Sequence, residues 1–222
     1  MRVPCQEVPL QYSLLLLIVA AVMVAMAFPL AAADPQKKIK KECLAFAEII
    51  NKQPTAVERG FAFGYIELTL QVQWGSPKKG LKGIKNEEAH DLVLLGQTAN
   101  SDRPDVAVVS CNRGQGNYIF ASNLPPGEVV IKSVLNFNVR GWKGSIDFRK
   151  PIRFEVSPSS ATFIGSIEVV GGPVYAGDRY PTLGATVTRR DLEGPTAASL
   201  ASELAPLFGQ PWRSYLETVG SR

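Results

Sequence analysis

Asn117-Tyr-Ile-Phe-Ala-Ser-Asn-Leu-Pro-Pro-Gly-Glu-Val-Val-Ile-Lys-Ser-Val134 decides the fold class. Two runs rich in β-branched and aromatic residues flank a Pro-Pro-Gly punctuation. Pro125 and Pro126 cannot donate to a strand ladder, and Gly127 supplies a permissive backbone where the chain turns. The spacing predicts a hairpin-like reversal between two strands of an all-β domain.

Upstream the same period-two pattern is clearest from Ile66 to Trp74. Ile66, Leu68, Leu70, Val72 and Trp74 share one face, and Glu67, Thr69, Gln71 and Gln73 the other, as in a half-buried strand. Asp91–Gln97, Val106–Cys111, Val129–Phe137, Ile152–Val156 and Thr162–Val170 extend the series. Gly75–Lys85 reads as a polar loop, and Gly171–Arg190 as an irregular segment or peripheral hairpin. The expected fold is mainly β: a seven- to eight-stranded antiparallel sandwich. Without long helical patterns between the strands, a parallel α/β sheet is disfavoured.

Helical periodicity is confined to the two ends. Ile39, Cys43, Phe46, Ala47 and Ile50 recur at three- and four-residue steps, predicting an amphipathic helix over Lys37–Asn51. Leu200, Ala201, Leu204, Leu207 and Phe208 predict a C-terminal helix starting near Pro195, with Trp212, Tyr215 and Leu216 docking on the sheet. The expected divisions are a leader at 1–33, a helical lead-in at 34–56, the β-domain at 57–190 and a helical cap at 191–222.

Leu14–Phe28 is apolar without interruption, and Ser13 to Ala33 carries no charge. Arg2 before it and Ala31-Ala32-Ala33 after it fit a cleavable signal peptide, which implies export to a periplasm or cell envelope. The alternative is a retained membrane anchor. Lys37, Lys38, Lys40 and Lys41 follow the run, so an uncleaved helix would place the domain in the cytoplasm. Membrane contact is otherwise not expected, because that Lys cluster reads first as a solvated helix face.

From Asp34 on, the chain carries 23 basic and 19 acidic residues. This mild balance, with no basic face interleaved with aromatics, argues against nucleic acid as a partner. Cys5 would leave with the leader, and Cys43 and Cys111 remain. They suit either one disulfide in an oxidising compartment or two buried thiols.

Chemistry is hard to place. His90 is the single histidine, so a nucleophile–histidine arrangement would have to use it, and a multi-histidine metal site has no second imidazole. His90 reads as a surface residue at the start of a strand. Asp102 and Asp105 fall short of a calcium cage. The glycines at 80–83 and 114–116 lack the context of a phosphate loop. No catalytic residue, cofactor or metal is therefore expected. Trp74, Trp142, Tyr175 and Tyr180, in or beside expected loops, are the candidate binding residues, with Trp142 between Gly141 and Lys143-Gly144 the foremost.

Tyr118-Ile-Phe…Leu124-Pro-Pro-Gly-Glu-Val-Val-Ile131 resembles the strand–turn–strand of transthyretin-like, carboxypeptidase-regulatory-like domains of bacterial envelope proteins. Phe63-Gly-Tyr-Ile-Glu-Leu68 is similar to their opening strand, and Phe154–Val169 to their closing strands. The resemblance covers Phe61–Val170. It departs at Val129 and Val130, where a tyrosine is usual, and in a long insert before the corner. It implies a seven-stranded sandwich in an exported accessory or adhesion-type protein. Edge strands of an open sandwich can recruit another chain, so an envelope protein partner is expected on that separate ground. No catalytic residues carry over. A small hydrolase with carboxylates on sandwich loops is the alternative from another class.

Overall fold

The computed structural model describes residues 35–54, 58–76, 80–113, 116–139, 142–176, 188–191 and 194–221. The expected leader and Tyr180 lie outside them. Nine strands among these residues form one sheet: β1 Gly60–Ser76, β2 Gly80–Glu88, β3 His90–Thr98, β4 Val106–Asn112, β5 Asn117–Leu124, β6 Gly127–Val139, β7 Trp142–Val156, β8 Ala161–Ala176 and β9 Thr188–Asp191. Three helices accompany it: α1 Pro35–Asn51, α2 Ala197–Leu204 and α3 Trp212–Gly220, with a 3-10 turn at Ala205–Leu207.

The hydrogen-bonded order is β7-β6-β3-β4-β5-β1-β8-β9, with β2 on the outer half of β1. All pairs are antiparallel except β1–β8, which is parallel. The expected count of seven to eight strands is thus too low. Two strands fall outside the expected runs: β9, where an irregular segment or peripheral hairpin was expected, and Gly80–Glu88, expected as loop up to Lys85, whose backbone pairs with Thr69–Ser76 despite its glycines and lysines. Partner strands override weak local propensity there.

The nine strands make one continuous curled sheet. At one end of the curl β7 comes round to β1. A Cβ placed on Gly60 would lie 2.5 Å from Cγ1 of Val156, and one on Gly171 would lie 3.0 Å from Leu70 Cδ2 and 3.7 Å from Ile146 Cδ1. The curl encloses Ile66, Leu68 and Leu70 of β1, Leu92 and Leu94 of β3, Ile119 of β5, Ile131 of β6, Ile152 of β7 and Ile167 of β8. Alternate side chains enter this core, as the strand period requires.

The Pro-Pro-Gly segment reverses the chain as expected, but the strands on either side of it do not pair with each other. β5 pairs with β4 and β1, whereas β6 pairs with β3 and β7, so Pro125-Pro126-Gly127 is a corner that carries the chain across the sheet. Gly127 takes φ of 117°. Two residues without an N–H can end a ladder as readily as they can turn a hairpin, which explains the misreading.

The opposite face of the sheet carries a second apolar layer. Phe61 and Phe63 of β1 and Phe120 of β5 alternate with the enclosed residues and are fully buried. Phe61 and Phe120 meet the C-terminal aromatics: Phe61–Phe208 centroids are 5.0 Å apart, Phe120–Phe208 5.3 Å and Phe61–Trp212 5.7 Å, while Phe63 lies 5.6 Å from Phe163 of β8. Leu200, Leu204 and Leu216 are buried beside them. Thr196, rather than Pro195, caps α2, its Oγ1 accepting from the Ser199 N–H at 3.2 Å. The helix Trp212–Gly220 is an addition to the one expected, begun just after Pro211 and sealed by Trp212.

Candidate functional site

The disulfide Cys43–Cys111 fastens α1 to β4, its half-cystines almost fully buried and 68 residues apart in sequence. Cys43 lies on the same helix stripe as Phe46, Ala47 and Ile50, so the bond extends an apolar contact. Below it Gln53 Oε1 accepts from Ser122 Oγ at 3.3 Å, and Asn51 Oδ1 accepts from the Gly209 N–H at 2.8 Å. The lead-in helix is therefore bound both to the sheet and to the C-terminal cap.

Next to Cys111 begins a polar cluster that joins the sheet to the C-terminal helices. Tyr65 and Glu67 of β1, Tyr118 of β5, Arg113 and Gly116 of the β4–β5 turn, Glu88 of β2 and Glu203 of α2 meet there. The Arg113 guanidinium lies 5.4 Å from the Tyr118 ring centroid and 5.7 Å from that of Tyr65, a cation–π arrangement. Arg113 Nη2 donates to Glu203 Oε1 at 2.6 Å, and the Tyr118 hydroxyl donates to Glu203 Oε2. The Tyr65 hydroxyl donates to Glu67 Oε1 at 2.7 Å, and the Gly116 N–H to Glu88 Oε1.

Gly116 makes this packing feasible. Its φ is 70°, and a Cβ there would fall 2.2 Å from the Tyr65 hydroxyl oxygen. Only glycine fits both the backbone and the space. Burial, reinforced by the bond to Glu203, pushes the Tyr118 phenol up to about 12. Burial, then the bond to Glu67, likewise raises that of Tyr65. Both phenols thus stay protonated donors at neutral pH.

His90 opens β3 as expected and is half-buried. Its Nδ1 lies 2.8 Å from Asn112 Nδ2, so the amide donates to it. At the β2–β3 corner, Ser110 Oγ accepts from the Leu92 N–H at 2.7 Å, and Asn117 Nδ2 donates to the Ala89 carbonyl at 3.1 Å. These buried polar side chains satisfy backbone groups that the break between β2 and β3 releases. Asp105 is occupied likewise, accepting from the Thr98 N–H at 2.8 Å and from Thr98 Oγ1 at 2.5 Å.

Trp74, Trp142 and Tyr175, expected in or beside loops, belong to strands. Trp74 in β1 stands opposite Ala176 of β8, Tyr175 in β8 opposite Gln73 of β1, and Trp142 opens β7 opposite Val139. The glycines around Trp142 suggested a turn, but strand pairing takes the tryptophan and leaves Arg140-Gly141 between β6 and β7.

Among the described residues no group of three or more His, Cys, Asp or Glu is placed to hold a metal ion. An open cleft of about 530 Å³ lies between α2 and α3, lined by Ser202, Pro206, Arg213, Glu217 and Ser221. Arg213 is partly spoken for there, its Nε and Nη2 donating at 3.3 Å to the carbonyls of Ala205 and Pro206. The polar cluster was missed in the sequence because its members are scattered from position 65 to 203. The signal that could have pointed to it is Arg113 with Gly116 in a five-residue turn directly after Cys111.

No family model, curated protein or solved structure matches this chain.

Proposed function

We propose that this chain is an exported, non-catalytic binding or structural module of the cell envelope. The Cys43–Cys111 disulfide supports the reading best, because such bonds form and persist in oxidising compartments. The apolar run ending at Ala31-Ala32-Ala33 supports it from the sequence side. A transthyretin-like relation belongs to the same reading, with the curled sheet as a flattened sandwich. The Pro-Pro-Gly corner between two core strands supports that part.

The two ends of the hydrogen-bonded path offer a protein partner little open strand edge. Among the described residues the hydrogen-bonded path ends on β9, only four residues long, and on β7, which carries Pro151 in mid-strand with Lys143, Lys150 and Arg153. Short edges, prolines and basic residues are the usual means of blunting strand addition.

Fractionation with alkylation and mass spectrometry tests the proposal. The expected result is a chain in the envelope fraction that begins after Ala33 and has no alkylated cysteine. A chain in the cytosolic fraction with Cys43 and Cys111 both alkylated would overturn it.

The hydrolase reading is favoured by one observation, the convergence of Glu67, Glu88 and Glu203 around Tyr65 and Tyr118. Glu203 is engaged by Arg113, so Glu67 and Glu88 would carry acid–base work. A substrate panel whose turnover vanishes in Glu88→Gln would replace the binding-module reading with this one.

A further inference from the structure

Among the described residues the enclosed core holds no side chain of α1. The helix is bound instead to the other face of the sheet, where Cys111 stands opposite Tyr118. Its polar ties gather at one end. Asn51 Oδ1 accepts from the Gly209 N–H at 2.8 Å, and Gln53 Oε1 accepts from Ser122 Oγ at 3.3 Å and from Asn123 Nδ2 at 3.4 Å. The tie toward the other end is the Cys43–Cys111 bond, about 12 Å from Asn51 along a helix.

By its own sequence α1 is a poor helix. It has no acidic residue in its first turn and no basic residue in its last. Lys37, Lys38, Lys40 and Lys41 put positive charge in the half where the helix dipole is already positive. At 17 residues it is also close to the shortest length that stands alone in water. The helix therefore depends on burying Phe46, Ala47 and Ile50. Three buried side chains set against the ordering of a whole helix leave docking near balance. Holding Cys43 at Cys111 tips that balance.

We propose that Cys43 and Cys111 form a redox latch. With both thiols reduced, α1 is undocked while the sheet and the C-terminal cap stay folded, and oxidation locks the helix down. Each half-cystine is only 2% exposed once joined, so an oxidant reaches them while α1 is loose. The Cys43 thiolate attacks one sulfur of the oxidant's disulfide and displaces the other as a thiolate. The Cys111 thiolate then attacks Cys43 Sγ in the mixed disulfide, and the oxidant departs as a dithiol. Two electrons and the two thiol protons pass to it. The proposal rests on the envelope reading for that oxidant, a thiol–disulfide oxidoreductase of an oxidising compartment. It adds that the chain takes its final form only there.

Hydrogen exchange read by mass spectrometry tests the latch on the purified full chain, oxidised, reduced, and as the Cys43→Ser, Cys111→Ser double variant. In the oxidised chain the amides of Ala45–Ile50 should be protected. In the reduced chain and the double variant they should exchange at least about a hundredfold faster than those of Leu68 and Ile119 in the enclosed core. Reoxidation with oxidised glutathione should restore their protection. If helix and core amides exchange together without the bond, whether both stay protected or both lose protection, α1 is no separate unit and the latch is overturned. Unprotected helix amides in the oxidised chain would overturn it too. These measurements do not depend on where the chain resides, so the envelope reading stands or falls separately.

Discussion

The two halves of β1 are covered differently. From Phe61 to Tyr65 the strand is buried on both faces: Ala62 turns to the enclosed core, while Phe61 and Phe63 turn to the aromatic layer under the C-terminal helices. From Ile66 to Val72 only one face is apolar, and Glu67, Thr69 and Gln71 on the other remain half-buried. A single strand thus reads as a continuous apolar run in its first half and as an alternating one in its second. The difference teaches that the C-terminal helices, not another sheet, supply the second cover of this strand.

Two substitutions and one treatment would break or sharpen this contrast. Trp212→Ala should cost about 3–5 kcal/mol in chemical denaturation, because a large buried ring is lost from the outer layer. Thr69→Ala, on the outward face of the second half, should shift stability by less than about 0.5 kcal/mol. Equal costs at the two positions would erase the distinction. Reduction of Cys43–Cys111 should lower stability by about 4 kcal/mol, since the bond closes a long loop in the unfolded chain. The measurement is the urea midpoint with and without reductant.

Smaller effects concern the polar cluster at the junction between the halves. Gly116→Ala should cost about 1–3 kcal/mol, because the new methyl meets the Tyr65 hydroxyl and the backbone stays at positive φ. Glu203→Gln should cost about 1 kcal/mol, since the Arg113–Glu203 pair is partly solvated. Alkaline pH acts on the same group of residues. The folded Tyr118 phenol ionises near 12, above its unfolded value, so its contribution is complete below pH 10 and falls as pH rises toward 12. Absorbance at 295 nm should show Tyr118 and Tyr65 ionising only above the ordinary phenol range, and Tyr118→Phe should flatten the alkaline loss of stability.

Much of the fold was legible where side-chain periodicity was strong. The alternation Ile66–Val72 marks the enclosed face, and the apolar stripes of α1 and α2 mark helices that cover the sheet. β2 was hidden because Gly80, Lys82, Gly83 and Lys85 carry no strand preference, and pairing with β1 makes the strand. The Pro-Pro-Gly corner was visible as a break, but whether its flanking strands pair with each other is set by distant partners. The candidate site was scarcely legible. Tyr65, Arg113, Tyr118 and Glu203 come from three strands or turns and a helix, and nothing local in any of them announces the others. Trp142 and Tyr175 were singled out in an expected turn and an expected irregular segment, and strand pairing moves both into the sheet, whereas Trp74 keeps its place on the strand whose alternation was read from the sequence.

Native-state hydrogen exchange along β1 tests the two-sided cover most directly. Amides of Ala62–Tyr65 should exchange only through global unfolding, with the protection of the most stable part of the molecule. Those of Gln71 and Gln73 should exchange through smaller openings and respond less to Trp212→Ala. Uniform protection along the whole strand, or faster exchange in its first half, would contradict the account.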